Sequence, residues 1–181
     1  MKNIVLGVTG SIAAYKAADI ANALTKLGYN VDVIMTKSAI EFITPLTLQT
    51  LSKNRVYNDM FQLEYPREVK HISLSQKADL FLIAPATANI IGKLANGIGD
   101  DMLSTNALSM KDIPMLIAPA MNTKMYENPI VQDNIEKLKR YGYQFIEPKE
   151  SRLACSDIGR GALADVDEIL RIVQEILQEK V

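Results

Sequence analysis

Short apolar runs alternating with longer helical stretches constrain this chain more than any other feature. Ile4 to Val8, Val31 to Met35, Leu80 to Ala84 and Met115 to Ala118 are each brief and continuous. That is the form of a strand buried on both faces, as in a parallel sheet covered by helices on each side. Tyr143 to Ile146 is a weaker candidate for a further strand. Helical spacing covers Ile12 to Leu27, Ala88 to Ala95, Met102 to Ser109, Val131 to Tyr141 and Val166 to Gln178. Gly28 and Gly142 follow two of these stretches where a C-cap glycine belongs. The alternation predicts right-handed crossovers and an α/β fold with a doubly wound, Rossmann-like (flavodoxin-like) parallel sheet. We expect a single three-layer domain over residues 1–181. Two stretches, Asn58 to Lys70 and Glu147 to Gly161, carry no clear periodicity and read as loops. The second holds Gly159, Gly161 and the only cysteine, and long loops of this kind are often lids or binding loops.

Composition excludes several functions. A chain of 181 residues can bury a core without staples. Its net charge of −1, with both signs interspersed, argues against a nucleic-acid partner, which would call for a basic patch. One cysteine cannot close an intramolecular disulfide, and with one histidine there are too few nitrogen and sulfur ligands for a metal site of that kind. No apolar run reaches transmembrane length, and Ile4 to Val8 leads into a Gly-Ser turn instead of a signal-peptide cleavage site. The expectation is a cytoplasmic protein with no membrane partner and no metal.

The chemistry-bearing residues fall at the carboxyl ends of the strands, where open α/β sheets bind ligands. Gly7-Val8-Thr9-Gly10-Ser11-Ile12 ends the first strand and opens a helix. It reads as a phosphate site on a helix N-terminus or as a capped turn, and it matches neither the dinucleotide fingerprint nor a Walker loop. Thr36-Lys37-Ser38 follows the second strand, where an NAD site usually carries an acid for the ribose; the nearest acid here is Glu41. Lys37 leaves NADP open, while a mononucleotide such as FMN satisfies both loops more simply. Pro85-Ala86-Thr87-Ala88-Asn89 and Pro119-Ala120-Met121-Asn122 follow the next two strands. Any one of these loops reads as a turn, but all of them on one edge would line one pocket.

His71 opens a short helical stretch to Lys77. A helix N-terminus disfavours the imidazolium and keeps the ring basic near neutral pH; the alternative is a solvated surface histidine. Cys155 lies in Ser151-Arg152-Leu153-Ala154-Cys155-Ser156-Asp157-Ile158-Gly159-Arg160-Gly161. A structural cysteine is usually buried in a strand or helix, so a loop thiol flanked by arginines is a functional candidate.

With these pieces in order along nearly the whole chain, the sequence resembles the homo-oligomeric flavin-containing cysteine decarboxylases. The resemblance rests on Gly10-Ser11-Ile12-Ala13-Ala14-Tyr15-Lys16, Thr36-Lys37-Ser38-Ala39, His71-Ile72-Ser73-Leu74, Pro85-Ala86-Thr87-Ala88-Asn89, Pro119-Ala120-Met121-Asn122 and the Cys155 segment. Within the family it is strongest to the branch that decarboxylates phosphopantothenoylcysteine in coenzyme A biosynthesis. It implies FMN with its phosphate on Gly10, Ser11 and Ile12, and further contacts from Thr36, Lys37, Ser38, Thr87, Ala88, Asn89, Ile90 and Ala120. It implies that Asn122 binds the substrate carboxylate and that Arg152, Leu153 and Ala154, with Cys155, form a flap around 147–161. The implied cycle oxidises the thiol to a thioaldehyde, loses CO2 to give an enethiol, and reduces that. His71 acts as base or orienting group and Cys155 supplies the last proton. The resemblance also implies a homotrimer or a larger assembly of trimers, with the active site near a subunit interface.

Two departures from the family pattern stand out. Ser156 replaces a glycine expected after the cysteine, and the chain ends after the Val166 to Gln178 stretch, so a separate synthetase is expected to supply the substrate. The alternatives are a peptidyl-cysteine decarboxylase of lantibiotic maturation, a flavin-binding inhibitory subunit of a protein phosphatase, a flavin prenyltransferase and an NADP-dependent reductase. The phosphatase subunits tend to carry acidic tails, which are missing here, and the prenyltransferase would need neither Cys155 nor the Asn122 motif.

Overall fold

Each apolar run becomes a strand, because a run without polar alternation is stable only where both faces are covered. The computed structural model describes residues 1–60, 70–110, 112–152 and 158–178. Strands β1 (Asn3–Val8), β2 (Asn30–Met35), β3 (Val56–Tyr57), β4 (Leu80–Ala86), β5 (Met115–Pro119) and β6 (Gln144–Phe145) form one parallel sheet. Their order is β3-β2-β1-β4-β5-β6. The two-residue edge strand β3 extends the flavodoxin-type order to the six-stranded Rossmann order. The order reverses between β1 and β4, which opens a crevice at their carboxyl ends.

The helices are α1 (Lys16–Lys26), α2 (Lys37–Ile40), α3 (Pro45–Ser52), α4 (Lys70–Lys77), α5 (Ala88–Ala95), α6 (Met102–Ser109), α7 (Thr123–Tyr126), α8 (Pro129–Arg140) and α9 (Val166–Gln178). They divide between the two faces according to the alternation of β1. Ile4, Leu6 and Val8 pack with Ile20 and Leu24 of α1 and Ile169 and Val173 of α9. Val5, with Phe81 and Ile83 of β4, faces the other way, onto Leu74 of α4, Ile91 of α5, Leu103 of α6 and Leu138 of α8. Gly28 (φ 87°) and Gly142 (φ 89°) close α1 and α8 in the left-handed conformation that a side chain would strain.

The structure departs from the sequence expectations in several places, among them the short elements α2, β3 and α7. The first helix enters through a 3-10 turn, Ile12–Tyr15, before α1 begins at Lys16. Helix α3 was not anticipated; it is capped by Thr44 and has Pro45 in its first turn, but it buries only Leu48 and Ser52 and so shows little apolar period. Part of the expected loop at 147–161 is an antiparallel hairpin of β7 (Lys149–Arg152) and β8 (Ile158–Ala162). Its glycines interrupt any strand pattern, because they answer to contacts made elsewhere. Among the described residues no helix is long and apolar enough to cross a membrane.

Candidate functional site

Four side chains just beyond the strand ends begin helices. Ser11 accepts from the Ala13 N–H (3.2 Å), Thr36 from the Ala39 N–H (3.2 Å), Thr87 from the Ile90 N–H (3.4 Å) and Asn122 from the Lys124 N–H (2.8 Å). Such caps are worth roughly 1 kcal/mol each, and they fix where each helix starts relative to its strand. The consequence is a convergence of helix N-termini, with their outward N–H groups, on one edge of the sheet.

A cavity of about 940 Å³ lies on that edge. Every described residue expected to hold the cofactor lines it: Gly10, Ser11 and Ile12; Thr36, Lys37 and Ser38; Thr87, Ala88, Asn89 and Ile90; and Ala120. Asn122 lines it as well. Glu41 does not, so the loop after β2 brings no carboxylate to the described lining.

Close backbone approach explains two of the glycines. A Cβ on Gly10 would stand 2.3 Å from the Ser38 Cβ, so only glycine lets the loops after β1 and β2 meet. A Cβ on Gly161 would stand 2.4 Å from the Met121 carbonyl oxygen, and the Met121 N–H donates to the Gly161 oxygen at 2.9 Å. The hairpin is thereby held against the segment that carries Asn122.

Several lining residues escaped the sequence reading. Thr9 is buried; its hydroxyl donates to the Pro85 carbonyl (2.7 Å) and accepts from the Thr87 N–H (3.1 Å), joining the first loop to the third. Lys93 donates to Asp100 (2.6 Å) and Asp101 (2.9 Å) on the cavity wall. Burial pushes the Asp101 carboxyl up, but the Ser104 N–H and Lys93 outweigh it and hold the group below the usual carboxylate range. Burial likewise disfavours the Lys93 cation, and its two carboxylates more than offset this. The Asp101–Ser104 capping box was a readable signal for that corner. Lys16, on α1, and Lys149, on β7, also reach the cavity; Lys16 closes the Gly10 to Lys16 stretch, but sequence reading assigns neither lysine a role.

His71 is the second residue of α4, which leads into the amino end of β4 and packs beside α6. Lys77, at the opposite end of α4, is paired at 2.7 Å with Asp32, a buried carboxylate of β2. The first turn of α4 therefore lies toward the carboxyl edge, as the N-cap of α6 does. The side chains of His71 and Arg152, and residues Leu153, Ala154 and Cys155, lie outside the described residues. In sequence, Cys155 falls between β7 and β8. Among the described residues no cluster of His, Cys, Asp and Glu is arranged to hold a metal ion.

Comparison with known proteins gives relatives over nearly the whole chain. A protein of Streptococcus mutans named "Probable phosphopantothenoylcysteine decarboxylase" is 55% identical over 177 residues, covering 97% of this chain and 99% of that one. The coenzyme A biosynthesis bifunctional protein of Bacillus subtilis is 48% identical over 179 residues, but the chain spans only 44% of its length. Among solved structures, a cysteine-to-serine variant of PPC decarboxylase complexed with pantothenoylaminoethenethiol superposes with a TM-score of 0.91 at 31% identity, covering 98% of each chain. An FMN-dependent cysteine decarboxylase superposes with a TM-score of 0.86 at 28% identity, covering 99% of this chain and 97% of that one. The model of the flavoprotein family matches residues 1–178, so sheet, cavity loops and hairpin all fall within it, and the chain belongs to that family.

Proposed function

We propose that this protein is an FMN-dependent decarboxylase that converts 4'-phosphopantothenoyl-L-cysteine to 4'-phosphopantetheine on the route to coenzyme A. The observation that carries the reading is the convergence of the Gly10, Thr36, Thr87 and Asn122 loops on one cavity. Its volume of about 940 Å³ is at the upper end of ligand pockets, room for a mononucleotide with a substrate beside it. The helix N-terminus at Ser11 and Ile12 suits a phosphate, and the absence of a carboxylate on the β2 loop removes the usual partner of an NAD ribose. Gly10, Ser11, Ile12, Thr36, Lys37, Ser38, the first turn of α5 and Ala120 would hold FMN. Bound there, FMN supplies the two-electron oxidation that turns the substrate thiol into an electron sink for decarboxylation, and the matching reduction afterwards.

The chain's own residues bind, orient and move protons. The Asn122 Oδ1 is engaged by the Lys124 N–H, which makes Nδ2 the donating end of the amide and suits it to a carboxylate. His71, in the first turn of α4, takes the proton released as the substrate is oxidised. The β7–β8 hairpin acts as a flap in which Arg152, Leu153 and Ala154 cover the substrate and Cys155 delivers the last proton. The solved serine variant of a relative, complexed with pantothenoylaminoethenethiol, fits a cycle that stops when that proton is withheld.

The reading includes a homotrimeric unit in a cytoplasmic setting, with a synthetase supplying the substrate. Ile12, Tyr15 and Met125 support the assembly, since all three line the cavity and are 48–61% exposed in the single chain.

Two measurements test the reading. The purified protein should release FMN on acid precipitation, and Gly10→Ala should lower both its flavin-to-protein ratio and its Tm. Its methyl must push the Ser38 loop away, at about 1–3 kcal/mol. Full flavin content at an unchanged Tm would remove the proposed cradle. CO2 release should be rapid from phosphopantothenoylcysteine and slow from a peptide ending in cysteine; the reverse order would make the protein a peptidyl-cysteine decarboxylase.

A further inference from the structure

We infer that Lys16 and Lys149 form a second anion subsite in the cavity, which takes the phosphomonoester of the substrate and sets its specificity; this rests on the decarboxylase reading above. Both side chains line the cavity, yet they come from the two ends of the sequence, α1 and the base of the hairpin. Both bear electrostatically on Asp165, just before α9, and Lys149 pairs with it directly. Lys149 donates to the Asp165 carboxylate, and that hydrogen bond, with the nearby ammonium groups of Lys149 and Lys16, holds the carboxyl below its usual range. Two cations thus face one carboxylate. Lys16 has no ion pair of its own among the described residues. The Lys149–Asp165 pair is open to water, with side-chain exposures of 36% and 67%, so it is readily exchanged for a better anion. A phosphomonoester, with about −1.5 to −2 charges at neutral pH, matches the unbalanced cations better than one carboxylate does.

This subsite is separate from the helix N-terminus assigned to the flavin phosphate. Ile12 and Lys16 lie four residues apart on the face that borders the cavity, which puts Lys16 roughly 6–8 Å further along the helix. The hairpin sets the other dimension. Lys149 lies opposite Ala162, and the next residue, Gly161, touches the backbone of Met121 and Asn122. One strand spacing and one or two residues therefore separate Lys149 from the proposed carboxylate site, on the order of 10 Å. The pantothenoyl arm is comparable to three peptide units, roughly 10–11 Å when extended. A substrate held by its carboxylate at Asn122 thus brings its phosphate to Lys149 and Lys16. A cysteinyl peptide offers no phosphate there.

The test compares phosphopantothenoylcysteine with its dephosphorylated form, pantothenoylcysteine, as substrates of the flavin-loaded enzyme. Wild type, Lys16→Gln, Lys149→Gln and the double variant are assayed by CO2 release, and flavin content is measured on each. We expect wild type to favour the phosphorylated substrate by about tenfold or more in kcat/KM, with KM rising as salt is added. Each single variant should raise KM for the phosphorylated substrate several-fold, and the double variant should bring the two substrates to within about twofold. Flavin content should match wild type in all variants. A wild-type enzyme indifferent to the phosphate overturns the inference and leaves the decarboxylase reading standing. So does a preference that survives in the double variant, and so does flavin loss in the variants, which would return the lysines to the cofactor. An enzyme that releases CO2 from neither substrate overturns the decarboxylase reading and this subsite with it.

Discussion

Cys155→Ser is expected to release CO2 once per active site and then stop short of the saturated product. Oxidation and loss of CO2 call for a base and a carboxylate anchor, assigned here to His71 and Asn122, and for no acid at position 155. The final reduction does need a proton delivered to carbon. An ordinary thiol titrates at about 8.5 and can supply it, whereas a serine hydroxyl is a far weaker acid. Loss of a positioned general acid costs roughly 10²–10⁴ in rate. Mass spectrometry of the quenched reaction should therefore find about one equivalent of a product two hydrogens lighter than the aminothiol. A variant that forms the saturated aminothiol at the wild-type rate would reduce the flap to a cover.

Asn122→Asp should abolish most turnover while leaving the local structure and the flavin in place. The wild-type amide accepts from the Lys124 N–H at 2.8 Å, and an aspartate oxygen accepts that hydrogen bond equally well, so the start of α7 is kept. The change is confined to the other end of the side chain, where an NH2 donor becomes a second carboxylate oxygen. A hydrogen bond to a charged partner contributes about 1.5–3 kcal/mol, a factor of roughly 10–150, and repulsion between two carboxylates adds to the loss. The decisive readout pairs kcat/KM with flavin content. Near-normal kcat/KM in a flavin-replete variant would place the substrate carboxylate elsewhere, and with it the phosphate at the far end of the pantothenoyl arm.

Much of the fold was legible because its signals are local. The boundaries of α5, α6 and α9 follow from apolar spacing, and Gly28 and Gly142 mark αL ends that few other residues tolerate. The strands of the sheet centre were legible for the opposite reason, since a run buried on both faces carries no polar break. Edge elements were harder to read. β3 spans two residues, and α3 turns most of its surface outward, so its Thr44 cap and Pro45 were the only signals it offered.

For the site, the sequence by itself determined which residue types end each strand and that they fall on one edge of a parallel sheet. It did so because strand, cap and helix follow one another within a few residues. Tertiary structure alone decided what those loops touch. Gly10 is required by Ser38, and Gly161 by Met121, across separations that no local pattern spans. Thr9 reaches Pro85 and Thr87 only because β1 and β4 are neighbours at the switch point. Lys16 and Lys149 share one cavity wall, and α1 lies beside α9, because the crossover brings the end of the chain back beside its beginning. Periodicity and capping are short-range properties of the backbone, while the charge and shape of a cavity depend on which loops the crossovers bring together.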